Sequence, residues 1–591
     1  MRNADIARCF RDIAVYLEMG DVAFKPRAYE KAAMAVESSP RPLADLYRAG
    51  GTKALQTVSG IGTSMAEKIE ELVTTGTCKL YEQYHRKMPI DITGLSAIEG
   101  IGPKAMKVLY QRLGVRTVDD LAAAARAGKV RTLPHFGEKS EQRMLQALGA
   151  AEKQRGRRPL HTVLPVVAEM LATLRQVAGV EQVVVAGSIR RRKETVGDAD
   201  VLAVARKPKA AMDVFTRLPD VERILGRGET KASVSLRSGL QVDLRVVPAE
   251  SFAAALLYFT GSKAHNVVLR QLAMQRGLKL NEYGLFRGTR ALPCPTEAAI
   301  YARLGLPYFP PELREDSGEF DAARHGQLPT LLSHDALRGD LQTQTDWTDG
   351  ADSLAAMACA AQAIGLDYIA ITDHTVGLAM TGGCDETKLR RQMRAIDQLN
   401  QKLRDIRVLK GAEVNIDRDG SLDIDDATLS QLEVVGVAVH SHFHLGRAEQ
   451  TARIVRAMQN PHADILFHPT GRVLGKREPY DVDMQAIITA ARQTGTVLEL
   501  DAYPDRLDLK AEHIRQTIAA GVKIVIDSDA HAIAHLSFPR QYGIDQARRG
   551  WATAKDVLNT KPLAGFLAGL KGAASPTARG RARGRKTSRS R

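Results

Sequence analysis

Apolar residues recur at helical spacing through the first 85 positions, in stretches such as IARCFRDIAVYLEM (6–19) and YEKAAMAVES (29–38), which predict short amphipathic helices. Two later stretches echo one another. VSGIGTSMAEKI (58–69) and IEGIGPKAMKVL (98–109) each set an apolar residue, a polar one and Gly-Ile-Gly ahead of a helical pattern. LPHFGEKSEQRML (133–145) is a weaker copy that keeps only Gly137 of the glycine pair. From 158 the texture changes: the helical run LPVVAEMLATLRQVAG precedes the β-branched VEQVVVAG, and alternating strands and helices indicate an α/β or α+β domain. Residues 316–334, acidic at first and then HGQLPTLLSH, read as a linker. From 340 onward, short apolar runs end in metal-ligand residue types and are followed by helical stretches: DYIAITDH, VLKGAEV, VVGVAVHSH, DILFHP, VLELDAYP and KIVIDSDAH. Functional residues at the C-terminal ends of successive parallel strands are what a β/α barrel produces.

Composition narrows the class. A length of 591 residues suits about four domains, and 44% hydrophobic content supplies their cores. The five cysteines are scattered and never form a CxxC, so neither a disulfide frame nor a thiolate zinc site is expected, and a reducing cytosol fits. No apolar run approaches a membrane span, and the first twenty residues are charged throughout, so neither anchor nor signal peptide is expected. A formal charge of +15 and a pI near 9.5 favour a polyanionic partner, with nucleic acid the commonest in the cytosol. The last 21 residues hold eight Lys/Arg and no acid, and read as a disordered basic tail that attracts phosphate.

The candidate chemistry lies in three places. In the glycine repeats, Gly60, Gly62, Gly100 and Gly102 allow a tight hairpin and let phosphate approach the amides of the next helix, with Lys104 beside the second. These are similar to helix-hairpin-helix elements, which grip the DNA backbone without reading sequence. In VGDADVLAV, Asp198 and Asp200 are two apart and share one face of a strand; in LQVDLRVV, Gln241, Asp243 and Arg245 occupy one face while Leu240, Val242 and Leu244 take the other. Three converging carboxylates repel one another until divalent cations relieve them, and Mg²⁺ favours such ligands together with substrate phosphates. Just upstream, Gly187 and Ser188 end a strand and precede Arg190, Arg191, Arg192 and Lys193, which suits a triphosphate.

The string GSIRRRKETVGDADVL, the later Asp243 and YFTGSKAHN (258–266), in order behind the hairpin repeats, resemble the family X DNA polymerases of the nucleotidyltransferase superfamily. The resemblance makes Asp198, Asp200 and Asp243 the ligands of two Mg²⁺ or Mn²⁺, with Asp243 nearest the primer terminus. It gives Gly187, Ser188, Arg191 and Gly197 to the triphosphate, Tyr258, Phe259 and Gly261 to the sugar, Asn266 to the base edge and Arg270 to the template side. Lys263 departs from the pattern, standing where animal repair enzymes have an acid. Lys68 matches the lysine that forms a Schiff base with an abasic-site sugar in animal relatives, and Tyr29 a residue of that pocket; Ser64 replaces a lysine of theirs, and a simple DNA-facing cation is the alternative for Lys68.

The C-terminal runs resemble the PHP (polymerase and histidinol phosphatase) domain that bacterial family X polymerases carry. By matching, Glu413, His440 and His468 hold one metal and Asp349, His374 and His531 another, while the third site draws on Gln342, Gln344, Glu413 and Asp529. Family members begin with HxH; this chain has QxQ. A carboxamide oxygen is a far poorer ligand for Zn²⁺ or Mn²⁺ than imidazole, so a folded barrel with impaired or absent nuclease activity is expected, with Zn²⁺ or Mn²⁺ at the remaining sites.

The expected fold is multidomain: an N-terminal all-α helix-hairpin-helix region, an α/β nucleotidyltransferase palm with thumb, and a C-terminal β/α (PHP) barrel. Its segments are a lyase-like helical DNA-binding domain (1–85), a helix-hairpin-helix subdomain (86–150), the palm (151–249), a nucleotide-selecting subdomain (250–315), the linker (316–334), the barrel (335–572) and the tail (573–591). The expected function is template-directed filling of short gaps in DNA repair, as in base excision repair, on gapped or nicked DNA with deoxynucleoside triphosphates, by a monomer in the cytoplasm and at the nucleoid. Two alternatives stay open. One is a non-catalytic DNA-binding scaffold, against which the acid triad speaks; the other is a PHP phosphodiesterase with residual activity, against which the degraded HxH speaks.

Overall fold

A computed structural model describes residues 3–571 except 21, 23–24, 38, 40, 59, 97, 99–100, 135, 139, 143, 146–147, 149–155 and 379–380. The expected basic tail and Gly100 lie outside the described residues. Met1–Arg155 makes up the bulk of one compact unit, and nearly everything from Gly156 onward the other.

The first unit is all-helical. Its helices Asn3–Met19 and Lys25–Glu37 bury Phe10, Ile13, Tyr29 and Ala33 in one core, and Met106, Leu109, Leu121 and Val130 lie in a second. The repeated glycines produce the same local structure twice. Gly62 caps the helix Thr63–Thr75 in an extended conformation (φ −82°, ψ 175°), and Gly102 caps Pro103–Leu113 in nearly the same one (φ −88°, ψ 177°), with Pro103 in the first turn, where its missing N–H costs nothing.

In the second unit, strands β1 (Val180–Val185), β2 (Asp198–Ala205), β3 (Val221–Arg227), β4 (Lys231–Leu236) and β5 (Gln241–Val246) form a sheet in the order β1-β2-β5-β4-β3. β2 and β5 are parallel and the other neighbours antiparallel. Alternation along β5 buries Val242, Leu244 and Val246 and leaves Gln241 exposed with Asp243 and Arg245 half-buried, as the period-2 reading expects. The buried faces meet Leu160, Val163, Val167 and Leu174 of the helix Leu160–Arg175.

Residues 252–324 form a helical subdomain with a small hairpin sheet. The segment read as a linker is packed at its start: the helix Glu319–Arg324 buries Glu319 and Phe320, and Glu319 lies 2.8 Å from His265 Nδ1, whose Nε2 is 2.9 Å from the Tyr301 hydroxyl. A buried carboxylate held by an imidazole and by the backbone N–H groups of Asp316 and Ser317 contributes to a core, which acidity alone does not reveal.

The barrel follows. Strands β6 (Gly339–Thr343), β7 (Tyr368–Ile371), β8 (Arg407–Asn415), β9 (Val434–Ala438), β10 (Ile465–Leu466), β11 (Val497–Asp501) and β12 (Ile524–Asp527) run parallel in sequence order. The ring closes where Thr343 bridges Ala530 and the Gln344 N–H donates to the Ala530 carbonyl at 2.8 Å. Strands of such a barrel are buried on both faces and read as continuous apolar runs.

Candidate functional site

The palm site is built by register. Asp200 on β2 stands directly opposite Asp243 on β5, and Asp198 is two residues back on the same face. Burial first, and then the charges of Asp198 and Asp243, push the Asp200 carboxyl up to about 6. Three carboxylates on one face of the sheet repel one another until cations relieve them. An all-oxygen set of this kind fits Mg²⁺ or Mn²⁺. Two partners of Asp243 were not read from the sequence: Gln241 Nε2 donates to Oδ1 at 3.1 Å, and Lys231 Nζ lies 3.8 Å from Oδ2. Lys231 enters from β4, so only the strand order could have found it.

Gly187 and Ser188 open a single helical turn, Gly187–Arg190, after β1. Gly187 has φ +61°, and a Cβ there would sit 2.5 Å from Asp200 Oδ2, so the turn approaches the acid as only glycine permits. Ser188 Oγ is buried with no partner, an observation that suits a phosphate oxygen. Arg191 spends its Nε on Glu315 at 3.0 Å and its Nη1 on the Thr260 carbonyl. Gly197 lies beside Arg157, whose Nη1 would be 3.6 Å from an added Cβ.

Across from the palm, Tyr258 and Phe259 pack edge to face at 5.1 Å, and Asn266 Nδ2 donates to the Tyr258 carbonyl at 2.7 Å. Tyr258, Asn266 and Arg270 line one pocket with Leu257 and Asn281. Gly261 has φ +67° and abuts Arg191, whose Nη1 would lie 3.2 Å from a Cβ. Arg245 stacks over Phe259 at 4.5 Å, linking β5 to this subdomain.

In the helical unit, Gly60 has φ +91° and packs on Ala35, and Lys104 is exposed in the first turn of its helix. Lys68 and Tyr29 come together: Lys68 Nζ is 6.0 Å from the Tyr29 ring centroid and donates to the Ser64 carbonyl and hydroxyl at 3.1 and 3.0 Å.

The barrel gathers its ligand residues at the C-terminal strand ends, around Glu413 at the heart of β8. Glu413 Oε1 is 3.0 Å from His440 Nε2 and 2.9 Å from His468 Nε2; Oε2 is 3.3 Å from His374 Nδ1. Burial pushes this carboxyl up, and imidazoles at His374, His440 and His468 would outweigh it and hold it well below its usual range when they carry protons. The sequence grouping separated His374 from Glu413, whereas His374 clusters with Glu413 and His440, and its ring lies 5.9 Å from that of His531.

Donor chemistry shows which of these positions suits an ion. Asp423 accepts from Asn415 Nδ2 at 2.8 Å, which turns Asn415 Oδ1 toward His440 Nδ1 at 2.7 Å. His440 therefore carries its proton on Nδ1 and presents a lone pair from Nε2 to a carboxylate 3.0 Å away. Two acceptors facing each other fit a cation between them, with His468 and His374 as further nitrogen donors.

The glutamine position differs. Gln344 Nε2 donates to Glu413 Oε2 at 3.0 Å, while both amide atoms of Gln342 are buried without partners. Asp529 lies 3.5 Å from Arg506 Nε, which is also 3.3 Å from Asp501. An amide and a guanidinium thus compete for acids a metal would use, and what the two glutamines offer a dication is carboxamide oxygen, a poorer ligand than imidazole. Nearby, burial and then neighbouring carboxylates push Glu499 and Asp501 well above their usual range.

Known proteins match the modules of this chain in order. Residues 1–78 match a helix-hairpin-helix domain, 92–150 a SAM-like helix-hairpin-helix tandem, and 255–315 the DNA polymerase beta thumb. The DNA polymerase/3'-5' exonuclease PolX of Bacillus subtilis (strain 168) is 37% identical over 576 residues, 97% of this chain and 100% of that protein. DNA polymerase lambda of Rattus norvegicus is 27% identical over 332 residues, 51% of this chain and 54% of its own. A probable phosphatase of Thermoanaerobacter sp. (strain X514) is 29% identical over 177 residues, 28% of this chain and 67% of its own. With that full-length similarity, and with thumb and hairpin modules in order around the acid-bearing sheet, the chain belongs to the family X DNA polymerases that carry a C-terminal PHP domain.

Proposed function

We propose that this DNA-directed DNA polymerase fills short gaps in DNA by two-metal nucleotidyl transfer, and that hydrolysis in its barrel is impaired at the Gln342–Gln344 position. The first half rests on the register that opposes Asp200 to Asp243 with Asp198 on the same face. Asp198, Asp200 and Asp243 would hold two Mg²⁺ or Mn²⁺, which would supply activation of the primer 3′-hydroxyl and stabilisation of the departing pyrophosphate. Asp243 accepts the hydroxyl proton. Gly187 brings backbone close to the acids, and Ser188 Oγ, Arg191 and Gly197 receive the triphosphate. Tyr258, Phe259 and Gly261 shape the sugar pocket, Asn266 meets the base edge and Arg270 the template. The helix-hairpin-helix glycines at 60, 62, 100 and 102 bring phosphates of gapped DNA to helix N-termini without reading sequence.

The test is single-nucleotide incorporation on a one-nucleotide gap with Mg²⁺, comparing wild type with Asp243→Ala and a gapped substrate with an open primer–template. Incorporation is expected to disappear in the variant and to be faster on the gap. Equal rates for variant and wild type would remove the catalytic assignment, and equal rates on the two substrates would remove gap filling.

A further inference from the structure

The residues that follow the Gly187–Ser188 turn are gripped from outside the palm. Arg190 forks onto Glu297 at 2.9 and 2.6 Å. Arg192 Nε lies 3.2 Å from Asp545. Glu194 receives both ends of Arg472 at 3.1 and 2.8 Å and Gln546 Nε2 at 3.0 Å. Arg549 Nη1 donates to the Arg191 carbonyl at 2.8 Å and lies 3.2 Å from Glu315, which also holds Arg191 Nε. Asp545, Gln546 and Arg549 share one short barrel helix, Ile544–Arg549, and Arg472 follows β10. Side-chain exposure is 8% for both Arg472 and Arg549, so these contacts are made largely out of water, where losing one partner costs more than at a surface.

The grip reaches the turn through the backbone. The Arg191 N–H donates to the Gly187 carbonyl at 3.2 Å and the Lys193 N–H to the Ser188 carbonyl at 3.0 Å. A displacement of residues 191–194 therefore moves Ser188 directly.

We propose that the barrel helix Ile544–Arg549, together with Arg472, is a clamp that sets the triphosphate-binding turn, and that Arg549 is a positioning residue for nucleotide binding by the polymerase. The inference rests on the reading that Ser188 and its neighbours receive the triphosphate. It gives the barrel a part in synthesis that is independent of any hydrolysis within the barrel itself. Arg549 touches no substrate; it acts by fixing the Arg191 carbonyl and Glu315.

The test uses the full chain with Mg²⁺, a one-nucleotide gap and a titrated deoxynucleoside triphosphate, with melting curves confirming that each variant is folded. Arg549→Ala is expected to raise KM for the nucleotide by about tenfold while kcat changes less than about threefold and KM for gapped DNA stays put. Arg548→Ala is the control on the same helix, because Arg548 contacts Glu312 at 2.8 Å and the Leu332 carbonyl rather than the turn; its nucleotide KM should stay within about twofold of wild type. Ser188→Ala tests the reading beneath. If Ser188→Ala leaves KM for the nucleotide unchanged, the triphosphate assignment fails. If Ser188→Ala raises it and Arg549→Ala does not, or if Arg549→Ala and Arg548→Ala raise it equally, the clamp is overturned. Should Arg549→Ala not fold, Arg549→Lys decides: it keeps a cation near Glu315 but loses the guanidinium geometry, so a raised nucleotide KM supports the clamp and an unchanged one overturns it.

Discussion

Asp200→Asn separates the chemistry of the palm from its stability. The Asp200 carboxyl is pushed from an ordinary 3.8 to about 6, by burial first and then by Asp198 and Asp243. That displacement of roughly two units corresponds to about 3 kcal/mol. Because the folded value lies above the unfolded one, the native state holds the proton more tightly. The metal-free protein is spared the penalty below about pH 4 and bears all of it once pH has risen through about 6. Asparagine cannot ionise, so in a chelator at about pH 8 the variant's palm is expected to melt about 6–12 °C above wild type, at roughly 2–4 °C per kcal/mol. The advantage should shrink toward zero near pH 4. Adding Mg²⁺ should raise the wild-type melting temperature much more than the variant's, while incorporation on a gapped substrate is lost in the variant. Differential scanning calorimetry across that pH range reads the first effect and a gel assay the last. Identical melting of the two proteins in chelator at every pH would show that neither burial nor the neighbouring acids penalise an ionised Asp200, and the electrostatic account of the site would fall.

Three further outcomes follow from the geometry. Gly187→Ala sets a Cβ 2.5 Å from Asp200 Oδ2 at φ +61°, so incorporation should be lost for roughly 1–2 kcal/mol of backbone strain; a fully active variant would mean the turn does not serve the acids. The double change Gln342→His/Gln344→His should create Mn²⁺-dependent degradation of labelled 3′ ends above the wild-type rate, and a wild type already as fast would contradict the proposed impairment. Glu413→Gln should abolish retention of Zn²⁺ or Mn²⁺ by the barrel in elemental analysis while leaving gap filling within about twofold, since it lies outside the polymerase acids; unchanged metal content would displace Glu413 from the centre.

What the sequence could disclose depended on how local the cause was. The faces of β5 follow from a period of two, and the barrel from apolar runs ending in ligand residue types, so both were legible without coordinates. The equivalent caps at Gly62 and Gly102 were legible because the same residues impose the same backbone twice. Partnerships across distant segments were not. Lys231 reaches Asp243 only because β4 pairs with β5, and His265 finds Glu319 from 54 residues away. The acidic start of 316–334 reads as a linker because charge in a sequence carries no sign of its burial. Arg506, in the loop after β11, was missed for the same reason: nothing near it in the chain announces Asp529.

The two acid centres of this chain differ in how their charge is compensated, and that difference bears on what each can do. In the palm, Asp243 is met by an amide at 3.1 Å and an ammonium at 3.8 Å, and Asp200 remains strained, so the proposed mechanism leaves much of the compensation to ions that would arrive with the nucleotide. In the barrel, the Gln344 amide lies 3.0 Å from Glu413 and the Arg506 guanidinium 3.5 Å from Asp529, permanent groups where a histidine-ligated dication would otherwise stand. An amide and a guanidinium stabilise buried carboxylates, but neither binds a water and lowers its pKa as Zn²⁺ or Mn²⁺ does. On the proposed reading, Gln344 and Arg506 partner Glu413 and Asp529 without a metal. A barrel stable in that condition can go on holding Glu194 and the Arg191 carbonyl through Arg472 and Arg549.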